Sequence, residues 1–108
     1  REPDGLALSS RNAFLSPAER REALALHAAL ERADSLTRQG IDDADRLLEA
    51  MWEELSRHPS VAVDYVAIVE RDSFRPLRRI AGPAVAAVAA RVGSTRLIDN
   101  VVLEPRER

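Results

Sequence analysis

At 108 residues, with 45% hydrophobic and 31% charged side chains, the sequence has the size and balance of one ordinary globular domain, not of a disordered segment. A formal net charge of -2 provides no global basic field to draw the chain to nucleic acid or to an anionic membrane surface. With no cysteine, a disulfide scaffold, a thiolate metal site and a thiol nucleophile are excluded, and no run of about 18 apolar residues is present to span a membrane.

Residues Arg1–Leu15 predict an irregular arm, because Pro3 and Gly5 break regular structure and Ser9-Ser10-Arg11-Asn12 is polar turn material. The opening on Arg1, with no basic, apolar and small-residue signal pattern, reads as a piece of a longer protein, and the lack of cysteine is compatible with the cytoplasm. With few apolar anchors, the stretch from Arg1 to Asn12 is expected to be poorly ordered or displaced. The same stretch holds the chain's phosphate-type chemistry. A glycine-entered loop brings two hydroxyls, a guanidinium and a carboxamide within reach of one anion, and arginine offers a planar fork of donors suited to phosphate. On residue chemistry alone, a solvated loop leading into a helix cap is the commoner outcome of such a string.

Ser16-Pro17-Ala18-Glu19 predicts a helix start: Ser16 accepts the Glu19 amide, Glu19 reaches back, and proline suits the first helical position. The helix is expected to run through Leu26, Leu30 and Ala33 to about Gln39, with Gly40 as its left-handed terminus. A second helix is expected from Asp42 or Asp43, with Ala44, Leu47, Leu48, Met51, Trp52 and Leu55 on one apolar stripe and Pro59 as its stop. Met51 and Trp52 are thereby assigned to the core. His27, in mid-helix, and His58, beside Pro59, read as surface or packing residues in preference to catalysts or ligands. Two helices joined by a glycine turn make an antiparallel hairpin whose apolar faces need a partner, and a sheet is the candidate.

Val61–Val69 is rich in β-branched residues and predicts a strand. Arg71, Arg75, Arg78 and Arg79 surround Phe74; a solvated hairpin connection is favoured over an RNA-binding patch, since one phenylalanine is a poor stacking platform. Pro83–Val92 stays open between two elements. Its alanines and the spacing of Val85, Val88 and Val92 favour a helix, whereas its shortness and the Gly93-Ser94 turn favour a strand. Thr95–Leu103 predicts a further strand, within which Asp99-Asn100 is expected to make fold-fixing hydrogen bonds or contacts to another domain.

Three strings then fall in one order along nearly the whole chain: Arg1-Glu2-x-Asp4-Gly5-Leu6-Ala7-x-Ser9-Ser10-Arg11-Asn12 followed by Leu15-Ser16-Pro17, then Val63-Asp64-Tyr65-Val66, then Val92-Gly93-x-Thr95-Arg96-Leu97-Ile98-Asp99-Asn100. In this combination the sequence resembles the C-terminal part of the pantothenate synthetase (pantoate–β-alanine ligase) family. The resemblance implies an α+β fold, a two-helix hairpin on a small three-stranded antiparallel sheet with an irregular N-terminal arm, and so turns 83–92 towards a strand. It divides the chain into a phosphate-binding loop and inter-domain arm at 1–15 and a C-terminal lid at 16–108, the N-terminal Rossmann domain being absent.

The activity implied is condensation of (R)-pantoate with β-alanine, using ATP and Mg²⁺, through a pantoyl-adenylate, with release of AMP and diphosphate. Ser9, Ser10 and Arg11 match the family's phosphate-binding loop, the counterpart of the Lys-Met-Ser-Lys-Ser loop of class I aminoacyl-tRNA synthetases. Leu8 stands where the family commonly has Met, whose backbone lies beside the adenine, so a backbone contact survives the change. The family's His-x-Gly-His element, pantoate pocket and phosphate-binding Lys belong to the other domain, which also binds most of the Mg²⁺, so this piece alone is expected to be inactive. The partners implied are that Rossmann domain, ATP, pantoate and β-alanine, with no nucleic acid and no membrane. Homodimers would form through the N-terminal domain, with the isolated piece a monomer. The alternative is a stand-alone protein-interaction module in which the Ser-Ser-Arg stretch is only a cap.

Overall fold

The computed structural model describes residues 1–105. A 3-10 turn at Ser10–Phe14 is followed by helix α1 at Pro17–Arg38, helix α2 at Ala44–Ser56, and strands β1 at Val61–Glu70, β2 at Ala84–Val92 and β3 at Thr95–Leu103. The strands form one antiparallel sheet in the order β1-β2-β3, and the helix hairpin covers one of its faces. The expected α+β architecture is the one found. Among the described residues, no helix is long and apolar enough to cross a membrane.

Helix α1 begins with both halves of its capping box, Ser16 Oγ accepting from the Glu19 amide at 3.1 Å and Glu19 Oε1 accepting from the Ser16 amide at 2.9 Å. It ends in a Schellman motif: the Ile41 amide donates to the Leu36 carbonyl and the Gly40 amide to the Thr37 carbonyl, each at 3.0 Å, while Gly40 takes φ +99°. Thr37 is buried near this end and satisfies its hydroxyl on the Ala33 carbonyl at 2.8 Å. The next helix starts immediately after, capped by Asp43, whose carboxylate accepts the Asp45 amide at 3.0 Å.

The 83–92 segment is the central strand. Ala84, Ala86, Val88, Ala90 and Val92 alternate along it and are buried in one core with Ala23, Ala25, Ala29 and Ala33 of α1. Alanine favours a helix in isolation, but nine residues make a marginal helix, whereas here each residue gains ladders on two sides. A two-residue turn joins β2 to β3, with Gly93 at φ +61° as the first central residue, the pattern of a type II′ hairpin. In β1 the register slips between Val63 and Tyr65, so Asp64 is an extra residue that forms a bulge.

Two expectations need correction. Trp52 is 47% exposed and lies outside the core. The buried line on α2 runs through Ala44, Leu47, Ala50, Met51 and Leu55, so Ala50 rotates the contact face away from Trp52. The β1–β2 connection is solvated as expected, with Arg71, Phe74, Arg75, Arg78 and Arg79 all exposed and Phe74 at φ 58°. Its return leg docks beside α2: Ile80 is buried, its amide donates to the Asp42 carbonyl, and Arg79 pairs with Asp42 at 3.0 Å. Finally, the arm is not displaced. It lies along β3 and α1, with Leu6 only 4% exposed.

Candidate functional site

The arm is held by groups drawn from every part of its length. At its start, the Arg1 guanidinium grips Asp99 on β3 with both branches, Nη1 to Oδ2 at 2.6 Å and Nη2 to Oδ1 at 2.9 Å. The same Nη1 donates to the Gly5 carbonyl at 2.8 Å. Arg20, in the first turns of α1, reaches Glu2 at 3.0 Å and Asp4 at 3.1 Å. Both carboxyls are held below their ordinary range: Glu2 chiefly by its hydrogen bond from Arg20, and Asp4 chiefly by the Leu6 amide and then by Arg20. Arg20 is raised in turn by its bonds to Glu2 and then Asp4.

Between these anchors the backbone turns at Gly5, where φ is +99° and a Cβ would run into the His27 ring. Only glycine satisfies both constraints there. His27 itself lies against Glu31 at 2.9 Å, and His58 against Glu22 at 3.0 Å, so both histidines make helix-surface pairs as expected of packing residues. Asn12 closes the far end of the arm. Its amide nitrogen donates to Glu2 Oε2 at 2.6 Å and to the Ala7 carbonyl at 2.9 Å, two acceptors that require the NH₂ group on that side.

Leu8, Ser9, Ser10 and Arg11 sit in the span between those fixed points, and all four are exposed. Ser9 caps the 3-10 turn, its hydroxyl accepting the Arg11 amide at 3.1 Å. Arg11 donates from Nη1 to the Arg96 carbonyl on β3 at 3.1 Å, and the Arg96 side chain is tied to Asp64 of the β1 bulge at 2.8 Å. A cleft of about 190 Å³ opens between arm and strand, walled by Leu8, Ser9 and Arg11 on one side and by Leu97, Ile98 and Asp99 on the other. Ser10 opens the 3-10 turn beside it.

The donor set is suited to an anion. Hydroxyls, a guanidinium and loop amides offer hydrogens to phosphate oxygens, and the apolar wall beside Leu8 suits a flat ring. It does not suit a divalent cation. Asp99 is the carboxylate of the cleft wall, and Arg1 and the Asn100 amide already occupy its oxygens. Among the described residues no group of three or more His, Asp or Glu is arranged to hold a metal ion.

The sequence singled out the loop residues but not what seats them. Arg20, Glu2 and Asp4 passed as ordinary charges, and Arg1 and Asp99 are 98 residues apart. Their one visible signal was that charged residues recur inside the first and last of the three strings, at opposite ends of the chain.

A family model described as pantoate-beta-alanine ligase matches residues 1–102. The pantothenate synthetase of Moorella thermoacetica is 51% identical over 104 residues, covering 96% of this chain and 37% of that protein. The pantothenate synthetase of Rubrobacter xylanophilus is 54% identical over 104 residues, covering 95% and 36%. The crystal structure of pantothenate synthetase from Thermus thermophilus superimposes with a TM-score of 0.91 at 42% identity, over 97% of this chain and 38% of that one. The chain thus spans a little over a third of the length of the relatives it matches.

Proposed function

The chain belongs to the pantoate-beta-alanine ligase family, and from that premise we propose that it is the C-terminal, phosphate-clamping part of an ATP-dependent, AMP-forming ligase that joins (R)-pantoate to β-alanine. Residues 1–15 are the phosphate loop and inter-domain arm, and 16–108 are the lid. The part of the relatives beyond this chain would supply an N-terminal Rossmann domain with the pantoate pocket, and most of the Mg²⁺ ligands, for which the cleft described above has no open carboxylate. The whole protein would be a cytoplasmic homodimer joined through that N-terminal domain.

The observation that carries this reading is the exposed span from Leu8 to Arg11, fixed at both ends and poised at the mouth of a cleft. In the first half-reaction the pantoate carboxylate bonds to the α-phosphorus of ATP while the bond to the bridging oxygen breaks. Negative charge then builds on the departing diphosphate, where Arg11 would strengthen its contact and Ser9 and Ser10 would add neutral donors. In the second, the β-alanine amine attacks the acyl carbon, AMP leaves, and the amine loses its proton. A stand-alone interaction module, the alternative, leaves this seated loop without a purpose.

Single-turnover kinetics on the full-length protein test the assignment. Arg11→Ala is expected to slow adenylate formation on the order of 10²–10³-fold, as removal of a transition-state donor does, with stability changed by no more than about 0.5 kcal/mol at this exposed position. Ser9→Ala and Ser10→Ala should do less, and attack on preformed adenylate should be nearly unaffected. The 108-residue chain alone should produce no AMP. Unchanged adenylation in Arg11→Ala would overturn the site, and turnover by the chain alone would overturn the division of labour.

A further inference from the structure

Asp99 is an anomaly in β3. It lies on the helix-facing side of the strand in line with Leu97, Val101 and Leu103, pairs in register with the buried Val88, and is 7% exposed. An apolar residue would fill this position without the cost of taking a carboxylate out of water. The carboxylate's partner is not on a neighbouring strand but at the other end of the chain: Arg1 grips it bidentately, and the same guanidinium carries on to the Gly5 carbonyl, four residues before Ser9. A polar path therefore runs from the sheet through Arg1 to the Gly5 carbonyl.

We propose that Asp99 is a positioning residue for the phosphate loop, setting the place of Leu8–Arg11 through Arg1 without itself touching the nucleotide. This rests on reading that span as the phosphate-binding segment. The loop's far end is independently tied by Asn12 and by Arg11 to the Arg96 carbonyl, so loss of the Arg1–Asp99 pair removes the near end's tie to the sheet and leaves that end held only by Leu6 and by the part-exposed Arg20 pairs to Glu2 and Asp4. A loop that is in place only a tenth of the time binds its ligand about tenfold more weakly.

The test uses the full-length enzyme with Asp99→Asn, Arg1→Gln, their double variant and Asp99→Glu. Three quantities are read: KM for ATP and kcat in adenylate formation, the rate of attack on preformed pantoyl-adenylate, and amide exchange from Leu6 to Asn12. Each single substitution is expected to raise KM for ATP about tenfold, with the double variant no worse than either. Asp99→Glu, which keeps the charge, should recover part of the loss. Exchange in the arm should accelerate while β2 stays protected, and the second half-reaction should keep its rate. If Asp99→Asn does not fold, Arg1→Gln, at a partly exposed side chain, carries the same measurements.

Arm exchange at the wild-type rate would overturn the proposal, as would two half-reactions falling together or single effects that multiply in the double variant. Arg11→Ala is run alongside. If it leaves adenylation unchanged, the loop assignment fails while arm exchange still judges the Arg1–Asp99 anchor. If it slows adenylation but Asp99→Asn leaves KM alone, only the positioning role fails.

Discussion

Gly5→Ala should detach the arm while leaving the core folded. Alanine at φ +99° pays roughly 1–2 kcal/mol for a left-handed backbone. Its Cβ would also run into Cδ2 of His27, whose ring projects from α1 onto the arm, and forcing extra volume into a filled site costs about 1–3 kcal/mol. Against this total of about 2–5 kcal/mol stands what holds the arm down. Burial of Leu6 contributes about 1.5–3 kcal/mol, to which the Arg1–Asp99 pair and the part-exposed Arg20 pairs to Glu2 and Asp4 add. The strain is of the same order as this docking energy, and release of the arm relieves it without unfolding the core. The loss in global stability is then limited to the docking energy, of which Leu6 makes about 1.5–3 kcal/mol, or about 6–24 °C of melting temperature for a domain of this size. Hydrogen exchange read by mass spectrometry on the arm peptide and on β2 separates release from unfolding. Adding His27→Ala removes the steric part and should recover some protection. An arm peptide that exchanges at the wild-type rate, with an unshifted melting temperature, would refute the reasoning.

Acid should loosen the arm ahead of the sheet. Glu2 and Asp4 have folded-state values depressed below their ordinary 4.5 and 3.8, so the stability they contribute is present in full above those ordinary values and is lost as pH falls through the depressed ones. Arm exchange corrected for its intrinsic pH dependence should be flat down to about pH 5 and accelerate below it; a flat profile to about pH 2 would contradict the Arg20 network. Met51→Ala, at a fully buried side chain, should cost about 2–5 kcal/mol in urea denaturation. Trp52→Ala, at a half-exposed side chain, should cost clearly less; equal costs would mean that the α2 face is turned as the bare stripe suggested.

Helix α1 was legible almost to the residue because its signals are local. Ser16, Pro17 and Glu19 at its start, and Gly40 at its end, act within one turn of the backbone. The β2 strand was not legible from propensity, because what decides it is pairing with β1 and β3, and neither partner is encoded within Pro83–Val92. Trp52 misled for a related reason. A stripe shows which residues are apolar, but Ala50, the small residue that turns the contact face, looks the same buried or exposed. As for the site, the chemistry of Ser9, Ser10 and Arg11 is written in their residue types. Their support is not, since a salt bridge between Arg1 and Asp99 leaves no periodicity to read.

The seat of the loop has a consequence for the order in which the protein is made. The arm leaves the ribosome before both helices, yet its anchors on β3, the Asp99 carboxylate and the Arg96 carbonyl, come only after both helices and the first two strands. Contacts of such sequence separation carry the largest loop-closure cost and form late in folding. Until β3 has added to the edge of β2, Arg1 and Arg11 have nowhere to dock and the loop samples open conformations. An ordered Leu8–Arg11 span thus certifies a completed sheet, and a chain that stalls or is cut before Thr95 would lack both of the arm's anchors on β3.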